Sequence, residues 1–128
     1  MNLGIVGQGL PTTALNQERV SALLEVGIPA HVIADITHSA PSSVRNWKVG
    51  AAEPRALAYE RLDDLRSALG QLISAGIHPA RAERWLQSRS GPPTFDRPTE
   101  LIKDGHILEV FKMADGFIAS GGGRSAPS

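Results

Sequence analysis

The sequence predicts an all-α protein, and three observations carry that expectation. Apolar residues recur three and four positions apart in one stretch after another, the period of helices with one buried face. Proline and glycine punctuate those stretches in helical order, with Pro29, Pro41, Pro79 and Pro98 at openings and Gly27, Gly50, Gly76 and Gly105 at stops. Beyond the Gly-rich start of the chain, no stretch has the pattern of a strand.

Composition narrows the classes. With 128 residues and 41% hydrophobic content, the chain fits one domain or two small helical ones. Thirteen cationic residues balance thirteen acidic ones, so any affinity for nucleic acid must come from a local patch and from dimerisation. The absence of cysteine excludes a disulfide framework and thiolate zinc sites, and fits a reducing cytosol. No apolar run approaches the roughly 20 residues of a membrane span, and no secretory signal is visible, so a cytoplasmic location is expected. The histidines His31, His38, His78 and His106 match no common zinc spacing, and no serine sits on a strand-to-helix elbow. Neither metal, cofactor nor catalytic residue is therefore expected, and the chain reads as a non-enzyme.

Residues 1–15 read as a flexible leader. Its GIVGQG stretch looks like a dinucleotide loop, but that motif requires a βαβ unit, and helices follow instead. Asn16 is placed to cap a helix running to Val26, with Val20, Leu23 and Leu24 on one face and Gly27 as its stop. The organising stretch comes next. Residues 29–37 form a short helix that buries Val32, Ile33 and Ile36, with the small Ala34 available for a close crossing. His38, Ser39 and Ala40 make the turn, with His38 where such turns usually carry glycine. A second helix opens at Pro41, buries Val44 and Trp47, and turns Ser42, Ser43, Arg45, Asn46 and Lys48 outward. Hydroxyls, an amide and two cations without a carboxylate suit phosphates and base edges, so this is a candidate DNA-binding helix-turn-helix.

Residues 51–54 are a connector. A long helix over residues 55–75 carries Leu57, Leu62, Leu65, Leu69, Leu72 and Ile73 as its apolar face, with Gly70 as a candidate close crossing. A helix from Pro79 to about Gln87 buries Ala82, Trp85 and Leu86. The paired prolines in residues 90–97 make a loop. A short helix then starts at Pro98 or Thr99 and stops at Gly105. Residues 106–118 form an amphipathic last helix with more apolar residues than one stripe needs, so another chain or domain is expected to cover part of it. Residues 119–128 read as a disordered tail. The expected organisation is a leader over 1–15, a helix-turn-helix unit over 16–53, a helical unit over 54–118, and the tail.

The order Trp85-Leu86, loop, Pro98-Thr99-Glu100-Leu101-Ile102, Asp104-Gly105, then a helix with Val110 and Gly116, resembles the toxin-binding domain of the Xre/MbcA/ParS antitoxins, the MbcA type above all. Together with the preceding helices the resemblance spans residues 18–117. It implies a compact Xre-like helix-turn-helix unit followed by a small helical toxin-binding domain. It further implies an antitoxin that neutralises a RES-domain toxin, an enzyme that destroys NAD, by covering its active-site cleft, and that binds its own operator DNA. On this chain the resemblance assigns toxin binding to Trp85, Leu101, Phe111, Asp115, Gly116 and Phe117, and DNA binding to the outward residues of the second short helix. A homodimer or a larger toxin–antitoxin assembly is implied. The competing reading is a stand-alone helix-turn-helix transcription regulator whose C-terminal helices only dimerise.

Overall fold

A computed structural model of the chain describes residues 12–90 and 96–121. Among these residues there are seven helices and no strand: α1 Thr12–Val26, α2 Ala30–Ile36, α3 Pro41–Val49, α4 Ala56–Ser74, α5 Pro79–Gln87, α6 Pro98–Lys103 and α7 Ile107–Ala119. The GIVGQG stretch and residues 122–128 lie outside the described residues. The expected helix start moves, because α1 begins at Thr12 and Asn16 lies inside it. Asn16 is 2% exposed and its amide oxygen accepts from the Arg19 guanidinium at 3.5 Å, so it serves a buried polar contact and not a cap.

Helix α4 is the axis of the molecule and packs against α1, α2, α5, α6 and α7. Its buried residues Ala58, Leu62, Leu65, Leu69 and Leu72 alternate steps of four and three, a narrow seam along one side that Ala68 widens by one small residue. Leu57 and Ile73 were expected on that face. Each sits one position beyond an end of the seam, about 100° around the helix, and they remain 45% and 38% exposed. Gly70 also departs from expectation. A Cβ built there meets nothing within 4 Å, so no helix crosses at that point. Gly70→Ala is therefore expected to stabilise the protein by about 1 kcal/mol, read as a raised urea midpoint with an unchanged denaturant slope.

The short helices are held by few side chains. Helix α2 buries Ile33, Ala34 and Ile36. Helix α3 buries Val44 and Trp47 and lies against α1 and α2. In α6, Pro98, Thr99, Leu101 and Ile102 are all buried, and the helix touches α2, α4, α5 and α7. Its start is secured by Glu100, whose carboxylate accepts the Arg97 backbone N–H at 2.9 Å and the Arg97 guanidinium at 3.2 Å. The backbone hydrogen bond, more than the guanidinium, holds the Glu100 carboxyl below the usual glutamate range. The last helix rests on α4 and α6 through Val110 and Ala114, while Leu108 stays 71% exposed. The surplus apolar surface expected on α7 is thus covered in part by the chain's own helices. One continuous core runs from Val20 in α1 to Ala114 in α7.

Candidate nucleic-acid and partner-binding surfaces

The first surface is the outer face of α3. Val44 and Trp47, three residues apart, lock one side of the helix into the core, and this forces the intervening positions outward. Ser42, Arg45, Asn46 and Lys48 are exposed and Ser43 is half-buried, as the spacing predicts. Among the described residues neither Arg45 nor Lys48 forms an ion pair, so both charges face solvent unneutralised. A groove of about 370 Å³ runs beside the helix, walled by His38, Ser39, Ser43, Asn46, Glu53 and Arg55.

The turn that sets α3 is closed by paired backbone hydrogen bonds, His38 N–H to Asp35 O at 3.2 Å and Ser39 N–H to Ala34 O at 2.8 Å. This closure requires a left-handed residue, and His38 supplies it with φ +57°; among the described residues it is the sole non-glycine with positive φ. At the far end of α3, Gly50 performs the same task with φ +80°. The His38 ring reaches across to α6, where its Nε2 lies 2.8 Å from the Lys103 carbonyl. A carbonyl only accepts, so Nε2 carries the proton and donates. The same carbonyl accepts from Arg61 Nε at 3.2 Å. The Lys103 ammonium donates to Asp35 in α2 at 2.8 Å, and that bond raises the ammonium's pKa above the usual lysine value. None of these contacts was anticipated. They join residues 65, 42 and 68 positions apart, beyond the reach of local pattern, and the one sequence signal was histidine at a glycine position.

The second surface lies on α5 and α7. Trp85 and Phe117 stack with ring centroids 5.1 Å apart and planes at 21°. They wall a shallow groove of about 400 Å³ together with Arg89, Pro98, Met113 and Gly116. Gly116 is exposed, its φ is not in the left-handed region, and a Cβ there meets nothing within 4 Å. Among the described residues, neither the backbone nor the packing calls for glycine at that position. Along the flank of α7, the Gln71 amide donates to the Asp115 carboxylate at 2.7 Å and to the Phe111 carbonyl at 3.2 Å. The Gln71 amide oxygen is buried without a hydrogen-bond partner. The structure therefore gathers Trp85, Gly116 and Phe117 at one groove and places Phe111 and Asp115 beside α4. Leu101 is 6% exposed, on the buried side of α6, where it shapes the unit and offers no surface.

Among the described residues no group of three histidine, cysteine or carboxylate side chains is placed to hold a metal ion. None of their helices is long and apolar enough to cross a membrane.

The two surfaces are carried by one all-helical fold that is MbcA-like, as the motif resemblance implied. No family model and no curated protein matches the sequence. Among solved structures, the chain is similar to a chain of the M. tuberculosis MbcT–MbcA toxin–antitoxin complex. The two share 25% sequence identity with a TM-score of 0.66, over 82% of this chain and 94% of that one.

Proposed function

We propose that this chain is an antitoxin that binds a protein toxin through α5 and α7 and binds operator DNA through α3. The observation that carries this reading is the structural likeness to a chain of a toxin–antitoxin complex over nearly that chain's whole length. In the reading, residues 16–53 are the DNA-binding unit and residues 54–118 the toxin-binding unit, built on a shared core. The toxin is of the RES-domain class that destroys NAD. Its inhibition is steric: the exposed side of α7 and the Trp85–Phe117 groove cover the cleft where substrate enters. Aromatic side chains that are partly exposed and already held in place are good anchors for such an interface. Gly116, which no contact among the described residues explains, fits close approach of a partner's backbone. The protein acts in the cytoplasm, without a cofactor, as a homodimer or within a larger assembly with its toxin.

Recovery of the tagged chain from its native host tests the first half. A stoichiometric partner that consumes NAD once this chain is removed supports the antitoxin. Recovery of DNA and self-oligomers alone supports the plain transcription regulator. For the second half, Arg45→Ala and Lys48→Ala are each expected to weaken binding to DNA from upstream of the gene. Each should also lower the slope of log affinity against log salt by about 0.9, one phosphate contact apiece. Unchanged slopes in both variants would remove α3 from the DNA interface.

A further inference from the structure

We propose that His38 is a positioning residue for α3, fixing the DNA-facing helix to the carboxyl end of α6. The inference rests on reading α3 as the DNA-binding helix.

The turn before α3 needs a left-handed residue, and glycine adopts that conformation without strain, whereas histidine is tolerated there less readily. A strained choice persists where surrounding contacts hold it. Here the contact is visible: the ring donates from Nε2 to the Lys103 carbonyl at 2.8 Å. That carbonyl is itself held by Arg61 of α4, and the Lys103 side chain returns to Asp35 of α2. The entry to the turn is therefore tied to α6 at two points, by Asp35 within α2 and by His38 just after it. Glycine at position 38 would keep the backbone turn and lose the tether. Helix α3 is seated by Val44 and Trp47 and, at its carboxyl end, by the Gln17 amide donating to the Lys48 carbonyl at 3.3 Å, whereas the His38 tether acts at its amino end. The same helix α6 carries Pro98 in the wall of the Trp85–Phe117 groove, so one short element adjoins both surfaces.

The test compares wild type, His38→Gly, Lys103→Met and Arg45→Ala on a duplex from the DNA immediately upstream of the gene. His38→Gly should shift the thermal midpoint by less than about 4 °C, since the lost hydrogen bond is offset by relief of backbone strain. Its DNA affinity should fall about three- to tenfold, the size of one hydrogen bond spent on preorganisation. The salt slope should not change, because no phosphate contact is removed. Lys103→Met, which keeps the carbonyl, should show a smaller loss. In the free protein, amide exchange over residues 40–46 should quicken in His38→Gly. An affinity and exchange pattern equal to wild type in His38→Gly overturns the positioning role, even where Arg45→Ala still weakens binding. A reduced salt slope in His38→Gly overturns it too, because His38 would then contact phosphate directly. If neither wild type nor any variant binds the duplex, the DNA reading fails. The exchange measurement then still decides whether His38 anchors the helix.

Discussion

Trp47→Ala is expected to remove about 3–5 kcal/mol of stability, a large part of the roughly 5–15 kcal/mol that a domain of this size possesses. The expectation follows from where the indole sits. Helix α3 has nine residues and two buried side chains, and Trp47 is the larger, at 4% exposure. Truncation opens a cavity where α3 meets the rest of the core, and Val44 alone cannot close it. The midpoint of urea unfolding should fall with little change in its slope. A loss below about 1.5 kcal/mol would mean that α3 collapses onto the cavity, and that its seat is less well packed than the burial implies. Because the variant loosens α3 itself, DNA affinity should fall with it. This contrasts with His38→Gly, where affinity and stability are expected to separate.

Gly116→Leu should move fold stability and partner binding in opposite directions. Leucine is a far better helix former than glycine, worth close to 1 kcal/mol at an exposed interior position, and nothing within 4 Å opposes a Cβ there. The free chain should therefore melt at a higher temperature. In the complex, the added side chain stands beside Phe117 in the proposed contact groove, where a partner must come close. Loss of a well-packed interface contact costs about 2 kcal/mol or more, roughly 30-fold in affinity. Titration of the variant against the recovered toxin, with NAD consumption as the readout, separates the two effects. A variant both more stable and equally inhibitory would place the toxin interface elsewhere on the molecule.

Much of this architecture was legible in the residues because it depends on local rules. Helix period, proline openings and glycine stops placed α2 to α7 within a residue or two. The pairing of Val44 with Trp47 was enough to turn Arg45, Asn46 and Lys48 outward, since a helix buried on one side must expose the other. Errors arose where a local rule met a tertiary fact. Leu57 and Ile73 are as apolar as their neighbours, yet the seam of α4 is too narrow to include them. Gly70 signalled a crossing in sequence, and no helix arrives there.

The sequence by itself determined the helical class, the boundaries of α2 to α7 and the chemistry of the α3 face, because periodicity and capping act over a few residues. Only the tertiary structure decided that Leu101 is core, that Trp85 meets Phe117, and that His38 reaches Lys103. Those contacts join residues many helical turns apart, and their partners are chosen by the packing of α4 and α6 and not by neighbours in the chain.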